Sequence, residues 1–237
     1  MDASDKFIKI FKSILPAPFT IAVGLTAITY WIAVFFGDNQ NSSSLYAIEV
    51  LEYWENGLWN NGLLVFALQM MLMLVLGHVL ALSKPVNKLI SIAVKYCNNT
   101  ANAAALVTLL TVIVSLFNWG LGLIFGAIFA RKVGEHAMSK NISMNYPLIG
   151  AAGYSGLMVW HGGLSGSAPI KVAEPGHFLE AQTGIISQSE TIFSALNLSV
   201  SLFILIILPI AMFLLGKNNK AGVPMLQTNI RSEEHTS

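Results

Sequence analysis

The sequence predicts an all-α integral membrane protein with about four transmembrane helices and a re-entrant helical hairpin. Of the 237 residues, 54% are hydrophobic and only 11% are charged, whereas a soluble domain carries about 25% charged residues. The charges also leave five runs empty, namely residues 13–37, 56–83, 96–130, 141–170 and 191–216. Each run is at least as long as the roughly 20 residues that a helix needs to cross a bilayer.

The chain begins with a segment expected at the membrane surface. Residues 1–16 alternate charged side chains with Phe and Ile, a pattern typical of a short amphipathic helix on the cytoplasmic side that ends at Pro16. The membrane domain is predicted over residues 17–216, and its first span over residues 18–36.

A second span is predicted over residues 62–82, and the segments on its two sides differ in charge. The preceding residues 37–61 indicate a polar loop with acidic residues and no Lys or Arg. The following residues 83–100 carry Lys and no acid, and residues 86–96 suit a short interfacial helix. Because Lys and Arg accumulate on the cytoplasmic side, the first loop is predicted outside and the second inside.

The long run at residues 101–130 is interrupted at Asn118, Trp119 and Gly120. If the run crossed the membrane once, the basic loop at residues 131–146 would lie outside, against the charge rule. A hairpin that enters and returns on the cytoplasmic side restores the rule, and two arms of about 14 residues reach about 21 Å, past the midplane. One tilted, kinked helix is the alternative, and the charges favour the hairpin.

A fourth segment begins near Pro147 and gives way at residues 160–169 to a stretch dense in Gly, Ser and Pro. In lipid such a break survives only where protein or water covers it, and it is a common sign of a substrate or ion site. The last span is predicted over residues 192–215. Residues 217–237 form a polar tail in which residues 231–237 resemble a translated sequencing-library adapter, so we expect a longer natural chain.

The interruption at Asn118, Trp119 and Gly120 is the first candidate binding site. A hairpin tip frees backbone carbonyl and amide groups, and the Asn118 side chain adds an oxygen. Uncharged oxygens suit Na⁺, and the N-terminus of a helix suits a carboxylate. The alternative is a tightly packed glycine kink, which the spacing of Gly122 and Gly126 favours for the residues that follow.

The second candidate site is the break, with His161, Gly162, Gly163, Ser165, Gly166 and Ser167. The serines offer hydroxyl groups, and the glycine amides suit an anion-binding nest for a small carboxylate. The histidine is either a titrating group or, more commonly, a hydrogen-bonded packing residue. An exposed loop is the alternative for the stretch, but residues 151–160 alone are too short to span. We expect the two breaks to meet and form one site.

Gln69 and His78 are secondary candidates, because polar side chains in a span usually face the bundle interior. Hydrogen bonds between helices are their more common role. Cys97 is the only cysteine, so neither a disulfide nor a thiolate metal site is predicted. The predicted spans contain no Asp or Glu, and no catalytic motif, metal-ligand spacing or basic stripe for nucleic acid occurs. Neither an enzyme nor a metal cofactor is therefore predicted.

Several of these motifs resemble the bacterial short-chain fatty acid transporter family. The resemblance rests on residues 118–123 (NWGLGL), residues 146–148 (YPL) and residues 160–169 (WHGGLSGSAP). Residues 15–19 and the runs at 69–70 and 77–81 add to it, and the similarity extends from about Phe7 to Met212.

The resemblance implies an inner-membrane carrier of short-chain carboxylates such as acetoacetate and butyrate, in a chain about twice as long. Through the wider ion-transporter superfamily it also implies inverted repeats, each with a re-entrant hairpin and a broken helix that hold ion and substrate. The present chain would be the N-terminal half, one repeat plus a scaffold helix. The expected partners are the carboxylate, the bilayer and Na⁺ or H⁺ as coupling ion. A homodimer is one candidate assembly, and the sequence does not determine the oligomeric state.

The residues leave three function classes open. The first is a secondary carrier, the second a channel or passive facilitator for small anions, and the third a membrane-embedded enzyme or other non-transport subunit. The broken helices favour the carrier.

Overall fold

The computed structural model describes residues 17–37, 43–177 and 179–218, and helices dominate these ranges. In chain order they are α1 (Pro18–Phe36), α2 (Ser43–Leu58), α3 (Asn61–Ala81), α4 (Lys84–Val94), α5 (Thr100–Phe117), α6 (Trp119–Ser139), α7 (Tyr146–Tyr154), a 3-10 helix (Ser155–Val159), α8 (Ser167–Val172), α9 (Glu180–Thr183) and α10 (Ala195–Lys217). Within the described ranges four helices, α1, α3, α5 and α10, are long and apolar enough to cross a membrane. The predicted all-α membrane fold is confirmed.

Most predicted spans agree closely with these helices. The bounds of α1 are those expected, and α3 and α10 depart by at most three residues from the predicted 62–82 and 192–215. The interfacial helix expected at residues 86–96 is present as α4. The surface helix predicted at residues 1–16 and the tail from residue 219 onward lie outside the described residues.

The polar loop predicted over residues 37–61 is wrong, because most of it forms α2. The Leu and Glu residues of the segment are good helix formers, and no Pro interrupts it. Its acidic side chains had indicated a loop, but a helix outside the bilayer carries charges freely. The Tyr30 hydroxyl donates to the Ala47 carbonyl at 3.3 Å and ties α2 to α1.

The chain forms two compact units, Met1–Gln69 and Met70–Ser237. In the first, α1 packs against α2. The second contains the buried core, in which Phe125 and Phe129 of α6 and Ile149 of α7 are almost completely buried. Helices α5, α6 and α7 pack against one another around these side chains, and α10 packs along α5.

An antiparallel hairpin is formed by α5 and α6, with Asn118 as its turn. Gly122 lies against Ser115 and Gly126 against Thr111, so contacts on the two arms recede in step from the turn. A Cβ on either glycine would overlap a neighbouring segment, which explains the small-residue spacing. The alternative of one kinked helix is excluded, whereas the return of the hairpin to the cytoplasmic side remains a prediction from the charges.

The second arm is longer than predicted. It ends at Ser139 rather than at residue 130, so Arg131 and Lys132 lie on a helix and not in a loop. An ion pair one turn apart, Arg131 Nε to Glu135 Oε1 at 2.9 Å, supports this extension. The arms have 18 and 21 residues, which correspond to about 27 and 32 Å.

The predicted break in the fourth segment is present. Pro147 lies in the first turn of α7, and the helical backbone continues to Val159. Turns occupy residues 160–166, after which α8 begins at Ser167. Pro169 therefore belongs to the first turn of a helix rather than to the break, as suits a residue without an amide hydrogen.

Candidate functional site

The two interruptions lie directly against each other in the second unit. The Leu164 amide donates to the Leu116 carbonyl at 2.8 Å, and the Trp119 amide donates to Ser165 Oγ at 2.9 Å. The first bond satisfies a carbonyl in the last turn of α5, and the second satisfies an amide in the first turn of α6. The expected meeting of the two breaks is therefore present in the structure.

Asn118 and Ser165 both cap the N-terminus of α6. Asn118 Oδ1 accepts from the Leu121 amide at 2.8 Å, and Ser165 Oγ accepts from the Trp119 amide. In this first turn, the amide of the buried Gly120 has no acceptor among the described residues. The Asn118 oxygen, expected as a ligand for an ion, is thus engaged with its own helix, and a free amide remains beside it.

A stack of three aromatic rings covers this helix end. The rings of Trp119 and Trp160 stack with centroids 4.7 Å apart, and Trp160 stacks in turn on His161 at 4.8 Å. Trp119 is buried, whereas the His161 side chain is exposed at the end of the stack. Sequence reasoning missed Trp160, because a Trp near a helix end is typical of an interfacial anchor. The neighbouring glycines were the available signal.

The glycines of the break allow close approach and do not form the predicted anion nest. The amides of Gly162, Gly163 and Gly166 each donate to a carbonyl within the turns, so they are not free for an anion. A Cβ on Gly163 would lie 2.6 Å from the Leu116 carbonyl oxygen, which would separate the two breaks. Asn197 Nδ2 on α10 donates to the Gly162 carbonyl at 2.9 Å and anchors the break.

The donors at the junction are neutral. The two charge-free runs that build it, residues 96–130 and 141–170, contain no Lys or Arg. Lys171, which follows on α8, is paired with Glu174 at 3.1 Å. Ser167 is half-buried at the start of α8 and adds a hydroxyl near the break. An anion at this place would therefore be held by amide, hydroxyl and indole hydrogens.

An apolar cavity of about 470 Å³ lies beside the junction. Leu116 and Phe117 at the end of α5 line one side, the break lines another with Gly163 and Leu164, and α10 contributes Leu202. The apolar wall expected for the tail of a small acid is thus available next to the helix ends.

Comparison with known proteins assigns the chain to a family. The model of the short chain fatty acid transporter family matches residues 2–236. The chain belongs to the short-chain fatty acid transporter family. It is 35% identical over 195 residues to a protein of Escherichia coli (strain K12) named "Putative short-chain fatty acid transporter". A protein of the same name from Haemophilus influenzae (strain KW20 / Rd) is 34% identical over 212 residues.

This transporter-family chain spans less than half of its relatives. The matches cover 82% and 86% of the chain, but 42% of the Escherichia coli protein and 45% of the Haemophilus influenzae protein. No solved structure matches the chain. Together with the helices described above, the family makes the chain part of a multi-pass membrane protein.

The two secondary candidates, Gln69 and His78, are more exposed than expected. Gln69 and His78 on α3 have exposed side chains, and neither has a hydrogen-bond partner among the described residues. The inter-helix hydrogen bonds predicted for them are not formed within the described residues and stay a prediction for the full-length protein. In the second unit α3 meets the hairpin through Gly77 instead, where a Cβ would lie 2.8 Å from the Leu121 nitrogen. This contact was not predicted, although a small residue in an apolar span is its signal.

Proposed function

We propose that the full-length protein is a secondary carrier of short-chain monocarboxylates, of the acetoacetate and butyrate kind, across the bacterial inner membrane. One observation carries the proposal: two interrupted membrane helices join through Trp119 and Ser165 and through Leu116 and Leu164. Carriers use such interruptions to present helix ends to a substrate within the membrane. The family and the names of the relatives supply the substrate class.

The substrate carboxylate is proposed to lie at the N-terminus of α6, near the free amide of Gly120. A helix N-terminus carries a partial positive charge of roughly half an elementary charge, which favours an anion. The apolar cavity between the end of α5, the break and α10 is proposed to accommodate the short alkyl tail. The binding residues proposed are those predicted from the sequence, namely Asn118, Trp119, Gly120, His161, Gly162, Gly163, Ser165, Gly166 and Ser167. Asn118, Ser165 and the glycines contribute by shaping the helix end and the close approach.

The second half of the full-length protein is proposed to complete the site and the transport cycle. An inverted copy of the hairpin and broken helix would face the present copy and provide alternating access. Coupling to Na⁺ would use neutral backbone and side-chain oxygens, as in other carriers with broken helices. Coupling to H⁺ through a buried carboxylate would need the second half, because the predicted spans of this chain contain no Asp or Glu.

The direct test is uptake by proteoliposomes that contain the full-length protein. We expect saturable uptake of radiolabelled butyrate and acetoacetate that is accelerated by an inward Na⁺ or H⁺ gradient. Uptake that neither saturates nor responds to either gradient would favour the passive facilitator. Chemical conversion of butyrate without uptake would favour an enzyme.

Two substitutions test the proposed location of the site. Ser165→Ala and Asn118→Ala should both reduce uptake, because each removes a cap from the helix end that faces the substrate. Ser199→Ala and Asn102→Ala are the matched controls, since both side chains are exposed and neither belongs to the junction. Normal kinetics in Ser165→Ala and Asn118→Ala would remove the site from this junction.

A further inference from the structure

Two indole N–H groups at the junction are buried and unused as hydrogen-bond donors. The Nε1 atoms of Trp119 and Trp160 are both inaccessible and have no hydrogen-bond partner among the residues that the structure describes. Trp119 is 8% exposed, and the two rings stack with centroids 4.7 Å apart and an interplanar angle of 29°. Two neighbouring indole groups therefore both lack a hydrogen-bond acceptor at the place where the helices break.

An indole N–H is a donor only, so its missing partner must be an acceptor. Buried indole groups usually find one, and the great majority of buried polar side-chain atoms in proteins are hydrogen-bonded. Neither main-chain nor side-chain atoms of the described residues supply this acceptor. The deficiency points to an acceptor that binds from outside this chain.

The surroundings favour a negatively charged acceptor with more than one oxygen. Trp119 is the first residue of α6 and thus lies at the positive end of a helix of 21 residues. The adjacent Gly120 amide also has no acceptor among the described residues, so it is a third unpaired N–H donor at this place. No Lys or Arg occurs in the two runs that build the junction, so neutral donors provide the attraction. A carboxylate accepts several such bonds at once.

We propose that the indole N–H groups of Trp119 and Trp160 donate hydrogen bonds to the carboxylate of the transported acid. The inference rests on the proposed transport function and adds two carboxylate-binding side chains to it. Both side chains would then recognise the substrate directly, through their indole N–H groups. Recognition by neutral donors also suits a carrier, because a Lys or Arg at the site would hold the anion more strongly and slow its release.

The test removes the N–H groups and keeps the aromatic rings. Trp119→Phe and Trp160→Phe are introduced into the full-length protein, and concentration-dependent uptake of radiolabelled butyrate is measured in proteoliposomes. Since a hydrogen bond to a charged group is strong, each substitution should raise the KM for butyrate about tenfold or more. Trp31→Phe is the matched control, because Trp31 is also a stacked indole, 5.6 Å from Phe35, but lies on α1 in the first unit. Its KM should equal that of the wild type.

A second variant separates the donor from the packing of the ring. Replacement of Trp160 by benzothienylalanine, in which sulfur takes the place of the indole N–H, preserves the shape and the stack. It should raise the KM as Trp160→Phe does. A normal KM in this variant, or in both Phe variants, would overturn the inference while the transport function stands.

Two other results would also overturn it. Lower thermal stability of the substrate-free protein with an unchanged KM would assign the acceptor to the second half of the protein. Wild-type protein that takes up no carboxylate would remove the proposed function together with the inference, so the two failures are distinguishable.

Discussion

The bond from the Trp119 amide to Ser165 Oγ gives a quantitative prediction for Ser165→Ala. The bond is 2.9 Å long and Ser165 is 7% exposed, so the variant leaves a buried amide without an acceptor. An unsatisfied buried donor costs about 1–3 kcal/mol, and loss of a side-chain cap costs about 0.5–2 kcal/mol. Both figures describe the same bond, so we expect a loss of about 1–2 kcal/mol in the free energy of unfolding.

The measurement is equilibrium unfolding of the full-length protein in mixed micelles, followed by circular dichroism. Ser199→Ala is the control, because the Ser199 hydroxyl also makes a hydrogen bond to the main chain, donating to the Ala195 carbonyl at 2.7 Å, but is exposed on α10. Exposed substitutions usually change stability by less than about 0.5 kcal/mol. Uptake of butyrate, measured on the same preparations, shows whether the destabilised junction also transports less.

A stability of Ser165→Ala equal to that of Ser199→Ala would refute the reasoning. It would mean that water or another group replaces the hydroxyl, and hence that the junction is more hydrated than its burial indicates. Reduced uptake with unchanged stability would instead assign Ser165 to the substrate and not to the helix end.

Three further predictions follow from other contacts. Asn197→Ala removes two hydrogen bonds, to the Gly162 carbonyl at 2.9 Å and to the Ile192 carbonyl at 2.7 Å; amide hydrogen exchange of the break should become faster, and exchange unchanged from wild type would contradict the anchoring role. Gly126→Ala places a Cβ on the backbone of α7 and should strongly reduce folded protein, whereas Gly150→Ala, which meets nothing within 4 Å, should be tolerated. Burial raises the pKa of the Cys97 thiol to about 12, so maleimide should label its peptide only on unfolding; rapid labelling of folded protein at neutral pH would show that the thiol is not buried.

The membrane helices and the hairpin were predictable because lipid imposes strong composition rules. Charge-free length located α1 and α3 within one residue of their predicted bounds, and the basic residues after position 130 revealed that residues 101–130 were not one span. The interruption at Asn118 was visible because an Asn followed by glycines is unusual in such a run. These signals reflect the preference of each side chain for lipid or for water, which can be judged residue by residue from the sequence.

The errors arose in helices that carry charges and at contacts between residues distant in sequence. α2 and the end of α6 carry charges, and charge was interpreted as loop, although Arg131 and Glu135 stabilise the helix by pairing along it. The glycine amides of the break were expected to be free, since sequence does not show which carbonyl each turn brings near. The stacking of Trp160 on Trp119, 41 positions away (160 − 119), could not be predicted either, because only the fold brings the two rings together.

The two breaks stabilise each other through hydrogen bonds that join them. A break in a membrane helix exposes carbonyls on one side and amides on the other, which is costly in lipid. Here the Leu116 carbonyl of α5 accepts a hydrogen bond from the Leu164 amide, and Ser165 Oγ accepts one from the Trp119 amide. Each break therefore satisfies groups that the other has freed. Three donors at the junction, the Gly120 amide and the two indole N–H groups, have no acceptor among the described residues. Since unpaired donors attract oxygen anions, these three groups support the proposed carboxylate site.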